Sequence, residues 1–228
     1  MSSRTSTWLP VGFRKAVRSL LKEWQVWRLH RRGVRRARRF AGQKGLKLHL
    51  GCGPNLKPSW VNIDLQAGAD LTLDLREPLP FADGSCAVVY AEHFLEHLDY
   101  PKAALQFLED ARRVLQPDGL LSLVVPDVEY AIRTCLAPET PEWFEHARKH
   151  WAYPDWCVTR MDFLNYVFHQ KGHHRFAYDF ETLTRLLGQA GFGEVAKREF
   201  DPALDTEHRR IGSLYVRASN PTQPALPR

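Results

Sequence analysis

Gly51 and Gly53 follow directly on the apolar run LKLHL, with Cys52 between them, and Asp64 closes the next apolar run, VNID. Glycine has no Cβ and tolerates positive φ, so a pair of glycines after a buried strand lets the backbone turn sharply and approach a ligand closely. A carboxylate at the same end of the neighbouring strand is placed to accept both hydroxyls of a ribose. The third glycine of the dinucleotide fingerprint is missing, since the chain continues Pro54, Asn55, Leu56, and this disfavours a diphosphate cofactor. Ribose without pyrophosphate is the profile of S-adenosylmethionine.

Proton transfer is the second chemistry these residue types offer. His93 and His97 lie in AEHFLEHL, and His173 and His174 in GHHRFAYD. An imidazole titrates near neutrality and serves as a general base, although each of the four is equally readable as a structural or exposed histidine. EHFLEHL reads as the start of a helix, with His93 and His97 one turn apart and one of them facing away. His173 or His174, just after an aromatic-rich stretch, is the better placed to meet a substrate. No metal site is expected: the order and spacing differ from HEXXH, and Cys52, Cys86, Cys135 and Cys157 form no CxxC or zinc-ligand run. Widely spaced cysteines indicate a reduced, cytoplasmic compartment.

Stepping along the chain, short apolar runs alternate with amphipathic stretches from Gly45 onward, the pattern of an α/β layered domain over 45–218. Strands are expected at 46–50, 60–65, 70–75, 86–91 and 120–125, with two more in EVAKREF and SLYVRA. Helices are expected at 101–115 and over FETLTRLLGQA, the latter capped by Asp179 and closed by Gly191. Residues 126–178 interrupt this alternation with aromatics that include Trp143, Phe144, Trp151, Tyr153 and Tyr166, readable as a second core layer or as a lid over an acceptor. The tail 219–228 is expected to be disordered.

Four blocks in order, LHLGCGPN, VNIDL, DLREPLPFADGSCAVVYAEHFLEHL and RVLQPDGLLSLVVPD, resemble the class I S-adenosylmethionine-dependent methyltransferases, and among them the small type 11 group. The resemblance implies a Rossmann-like, mostly parallel seven-stranded sheet with flanking helices and S-adenosylmethionine as cofactor. It implies that Gly51 and Gly53 line the methionine end, that Asp64 holds the ribose, that Asp74 and Leu75 lie beside the adenine, and that Cys52 and Leu65 are further cofactor-binding positions. Glu92 and His93 would border the methyl group, and His93, His173 and His174 are the candidate catalytic residues. The chain departs from the pattern in two places. His49 stands where an acidic residue commonly meets the cofactor's ammonium, and only Pro54 to Ser59 separate the glycine turn from Trp60, too few for a crossover helix. The N-terminal arm is expected to cover the face so vacated.

That arm holds the charge. Residues 1–47 carry 14 Lys and Arg against the single acid Glu23, while the remainder holds 18 basic and 25 acidic residues. Phe13, Val17, Leu20, Trp24 and Trp27 fall on one helical stripe, and Gly33 interrupts the pattern before the arginines that crowd 31–39. A helix packed on the body, a peripheral membrane contact through 13–39, and nucleic-acid binding are three readings, with nucleic acid last. The lack of an apolar stretch of about 18 residues argues against a membrane span or secretory signal. The acceptor is expected to be a small molecule or a glycan hydroxyl. The alternatives are RNA, or an inactive cofactor-binding module.

Overall fold

The computed structural model describes residues 10–136, 145, 148–149 and 153–221. Trp143, Phe144 and Trp151 of the aromatic stretch, residues 1–9 of the arm and 222–228 of the tail lie outside the described residues.

Alternating apolar and polar positions place seven strands in one sheet: β1 (Leu46–Leu50), β2 (Val61–Asp64), β3 (Leu71–Thr72), β4 (Cys86–Glu92), β5 (Leu115–Pro126), β6 (Val195–Lys197) and β7 (Ser213–Ser219). Their order is β3-β2-β1-β4-β5-β7-β6. The first five are parallel, whereas β7 runs antiparallel to both β5 and β6. Side chains alternate across a strand, so Leu48, Val89, Ala91, Leu121 and Leu123 enter the main core. Tyr90, Val124 and Tyr215 instead form a smaller cluster on the other face. Helices α2 (Lys102–Val114) and α5 (Phe180–Gln189) cover the main core, their amphipathic faces supplying Phe107, Leu108, Leu183 and Leu186. The aromatic stretch contributes α3 (Val128–Leu136) and α4 (Arg160–His169), which build a separate cluster around Phe163 and Cys157.

β3 is shorter than its apolar pattern predicts. The Asp70 carboxylate accepts from the Asn62 backbone and side chain at 2.8 and 3.0 Å at the entry, and the expected residues 73–75 are not strand, the Asp74 N–H donating instead to His30 Nδ1 of the arm at 3.2 Å. Between β1 and β2 no helix forms. The face left bare is covered by the segment between β6 and β7, and not by the arm: Phe200 and Leu204 pack on Tyr90, Tyr215 and Trp60. Arg198 and Asp205 anchor that segment with paired contacts at 2.6 Å, while Tyr90 Oη donates to Asp205 at 3.0 Å.

The arm forms α1 (Val11–Ala37), continuous through Gly33. Gly33 does not break the helix because it is a contact point: a Cβ there would lie 2.1 Å from the Thr72 carbonyl oxygen of β3. α1 is docked along one side from Glu23 onward, with Val26, Gly33 and Ala37 buried, whereas Phe13 and Leu20 before that stretch and Trp24 and Trp27 on its outward side are exposed. Replacing glycine by alanine inside a helix ordinarily gains about 1 kcal/mol. Here we expect Gly33→Ala to cost about 1–3 kcal/mol through overpacking, and Gly12→Ala, where nothing lies within 4 Å, to be neutral or stabilising. Thermal denaturation of the two variants tests this, and equal gains in both would show that α1 is not seated on β3.

Candidate active site

The turn after β1 is held by backbone donors. The Gly51 and Cys52 N–H groups both reach the Ile63 carbonyl, at 2.9 and 3.2 Å, and Gly53 N–H donates to Asp64 Oδ2 at 2.8 Å. Gly51 and Gly53 have φ of +67° and +50°. At Gly51 a Cβ would come within 2.7 Å of the Phe94 ring, while beside Gly53 the space is open for 4 Å. Asp64 Oδ1 accepts from Gln66 N–H at 2.8 Å, so each carboxylate oxygen holds one backbone donor and keeps further acceptor capacity. Gly51, Asp64, Leu65, Asp74 and Leu75 line one cleft of about 550 Å³, a size suited to a small-molecule ligand. Cys52 is buried beneath the turn, where burial first and the Asp64 charge second push its thiol up to about 12, leaving it neutral.

Asp74 sits deeper in this cleft and is already engaged. Arg76 grips both of its oxygens at 2.7–3.0 Å and reaches on to Glu23 of α1 at 2.7 Å. Burial pushes the Asp74 carboxyl up, and the hydrogen bonds and charge of Arg76 more than offset this, holding it below its ordinary range. Its backbone N–H donates to His30 Nδ1 at 3.2 Å. Two residues of α1 thus support the wall of the cleft.

A second, smaller pocket of about 170 Å³ lies on the other side of the histidines, lined by His93, Tyr153, Tyr166, Gln170, His174 and Arg209 among others. The structure separates the histidines that are adjacent in sequence. His97 and the exposed His173 line the outer cleft, and His93 and His174 line the inner pocket. The His97 and His174 rings meet edge-on with centroids 5.0 Å apart, so the two cavities share a wall. AEHFLEHL forms a bend and a short 3₁₀ turn instead of the helical start expected, and His93 takes φ +52°. Its Nε2 lies 2.9 Å from Ser213 Oγ. Burial, with the Arg209 charge second, holds the His93 imidazole well below its usual range, and burial brings His174 down to about 4. Both rings are uncharged near neutral pH.

Glu92 and His93 are not brought together. The Glu92 side chain leaves β4 toward the opposite face, where it accepts from Thr206 N–H at 3.0 Å and Thr206 Oγ1 at 2.5 Å, with Arg209 3.4 Å away. Glu96, which the sequence reading passed over, occupies the wall itself. It is 1% exposed, and neither carboxylate oxygen has a hydrogen-bond partner. Burial raises its carboxyl to about 8. The signal was a charged residue inside an otherwise apolar stretch between two histidines.

Residues 66–123 match a family model described as a methyltransferase domain. No curated protein matches the chain. Among solved structures, the chain is similar to the CurJ carbon methyltransferase at 15% identity and TM-score 0.44, covering 82% of this chain and 51% of that one, about half its length. A SAM-dependent methyltransferase from Thermotoga maritima aligns at 17% identity and TM-score 0.43 over 91% of this chain and 98% of its own. Another from Archaeoglobus fulgidus aligns at 16% and 0.47 over 82% and 92%.

Because Glu92 is paired and buried on the far face, its removal strands Arg209 and the Thr206 donors. We expect Glu92→Ala to lose about 3–5 kcal/mol of stability while Glu92→Gln, which keeps one acceptor, loses less. Denaturant unfolding measures this. Near-wild-type stability in Glu92→Ala would contradict the placement of Glu92 in a structural pair.

Proposed function

We propose that the chain, whose residues 66–123 match a methyltransferase domain, is a class I S-adenosylmethionine-dependent methyltransferase, and that it methylates a hydroxyl of a glycan or small polyhydroxylated acceptor at an anionic membrane surface. When bound, S-adenosylmethionine supplies a methyl group already activated on a positively charged sulfur. The residues present fit an adenosyl ligand: the remaining acceptor capacity of Asp64 would hold the ribose hydroxyls, and the open space beside Gly53 would admit the ligand close to the backbone. Leu65 and Leu75 offer apolar sides to the adenine, beside Asp74. Gly51, held against Phe94, fixes the turn, and Cys52 fills space beneath it as a neutral thiol.

The observation that carries the acceptor reading is the shared wall between this cleft and the inner pocket. Tyr153 and Tyr166 give that pocket aromatic faces, and Gln170 and Arg209 give it hydrogen-bonding groups, the combination that grips a polar ring with several hydroxyls. His93, uncharged because it is buried, is the residue we assign to accept the hydroxyl proton. His173, in the outer cleft, is left to position the ligand there.

The membrane reading rests on α1. Phe13, Leu20, Trp24 and Trp27 are each more than half exposed. Arg28 and Arg31 lie over the Trp24 and Trp27 rings at 4.7 and 4.9 Å. No helix among the described residues is long and apolar enough to cross a bilayer, and an amphipathic helix with tryptophans on its apolar face and arginines beside them binds anionic headgroups from the surface.

Asp64→Ala should weaken binding of the demethylated cofactor about 10- to 100-fold, the worth of hydrogen bonds to a charged group, as read by calorimetry. His93→Gln should lower kcat about 10²- to 10⁴-fold on a glycan hydroxyl acceptor while cofactor affinity stays at the wild-type value. A parallel loss of both would reassign His93 to the cofactor. For the arm, the protein should float with vesicles containing phosphatidylglycerol and not with phosphatidylcholine alone, and Trp24→Ser with Trp27→Ser should abolish flotation. A shift of RNA in gels that survives the tryptophan changes, without flotation, would favour nucleic acid instead.

A further inference from the structure

Three side chains in the wall between the cavities converge without bonding one another. Glu96, His97 and His174 each bring one ligand-type atom within 4.8 Å of the others. Each imidazole is oriented by a backbone carbonyl. His174 Nδ1 lies 2.6 Å from the Val167 carbonyl, and His97 Nδ1 lies 3.1 Å from the His173 carbonyl. A carbonyl oxygen only accepts, so Nδ1 carries the proton in both rings, and Nε2 is left as the lone-pair nitrogen. His174 Nε2 stands 4.0 Å from Glu96 Oε1. The Glu96 carboxylate is almost fully buried and neither oxygen accepts a hydrogen bond. Leaving such a group without a partner is costly, and Arg209, whose charge acts on it, is engaged by Glu92.

We propose that Glu96, His97 and His174 form a site for one divalent first-row transition ion of the zinc class. Two imidazole nitrogens and one carboxylate are the donor set of open catalytic zinc sites and of the facial triad. The nitrogens select against magnesium and calcium, which prefer oxygen ligands. Locking each ring by an Nδ1–H to carbonyl bond is the outer-shell arrangement that metal-bound histidines use to fix tautomer and direction. Tetrahedral donors at zinc distances are about 3.3 Å apart, so the present separations close by at most about 1.5 Å, within the reach of small side-chain rotations. The ion would sit between the two cavities, since His97 lines the outer cleft and His174 the inner pocket; His93 Nδ1, 3.7 Å from Glu96 Oε1, borders it, and a fourth position would take an oxygen ligand. Only the identity of that oxygen, an acceptor hydroxyl, rests on the function proposed above.

The ligands escaped sequence patterns for a physical reason. Glu96 and His97 are consecutive on a 3₁₀ turn, and His174 returns from the far side of the aromatic segment, so no local spacing announces them.

The full-length protein, stripped with a chelator and dialysed, is titrated with Zn²⁺ by calorimetry and separately with Co²⁺ while the visible d–d absorption is recorded, with neither cofactor nor acceptor present. We expect one equivalent of Zn²⁺ to bind and the intense visible bands of low-coordinate Co²⁺ to appear, with affinity reduced at least 100-fold in Glu96→Gln and in His174→Asn. His97→Asn is the further variant should either misfold by circular dichroism. Wild-type protein giving only the pale spectrum of hydrated Co²⁺, or Zn²⁺ affinity equal in wild type and every folded variant, overturns the site. Because binding is read without turnover, its failure leaves the acceptor reading standing, and absence of hydroxyl methylation leaves the site standing.

Discussion

The six residues between Gly53 and Trp60 constrain everything around them. A parallel strand pair ordinarily needs a crossover of a dozen or more residues, usually containing a helix. Here the chain must instead reverse within a tight turn, and it does so by aiming successive backbone N–H groups at Ile63 and Asp64. That same economy brings Asp64 against the glycine turn and leaves the lower face of β1 and β4 without a helical cover. Tyr90, His49 and Trp60 would then face water had the segment between β6 and β7 not folded over them. Arg198, Asp205, Glu92, Thr206 and Arg209 are the polar framework that holds this segment in place.

A consequence is that Glu92 and His93, consecutive at the end of β4, have opposite occupations. Strand periodicity sends Glu92 to the face covered by the 198–212 segment. His93 then leaves the sheet with a left-handed backbone, held by its N–H to the Val124 carbonyl at 2.8 Å. Such a conformation is uncommon outside glycine, and strain of this kind clusters where a side chain must be aimed. It turns the chain so that His93 enters the inner pocket and Glu96 and His97 follow into the wall.

Much of the fold was legible from local pattern. The apolar runs LKLHL and CAVVYA and the Asp179 cap of α5 are signals carried by neighbouring residues, and those elements form where the signals lie, whereas Pro117-Asp118-Gly119 falls inside β5, which begins at Leu115 directly after α2, and not between helix and strand. The turn at Gly51 and Gly53 with Asp64 was legible for the same reason. What stayed hidden depends on contacts between distant residues. Gly33 reads as a helix breaker in isolation, and only the approach of the Thr72 carbonyl explains it. The cover for the bare face could not be assigned because the apolar stripe of α1 and the residues Phe200 and Leu204 are equally plausible candidates until the topology is known. Glu96 was hidden by company: flanked by histidines, it drew less notice than they did, although it is the residue whose burial is hardest to account for.

The arm's division into a docked and an exposed part now follows from geometry. α1 spans 27 residues, roughly 40 Å at 1.5 Å per residue, while β3 offers only two paired residues to lie against. The docked part makes its contact through residues small enough for close approach, Gly33 and Ala37, and through His30 and Glu23, which brace Asp74 and Arg76 at the edge of the outer cleft. The N-terminal part, with Phe13, Val17 and Leu20, is exposed, and Trp24 and Trp27 lie exposed on the outward side of the docked part. Trp24 and Trp27 lie between Glu23 and His30 along the helix, so the exposed tryptophans sit on the same turns that support the wall beside Asp74.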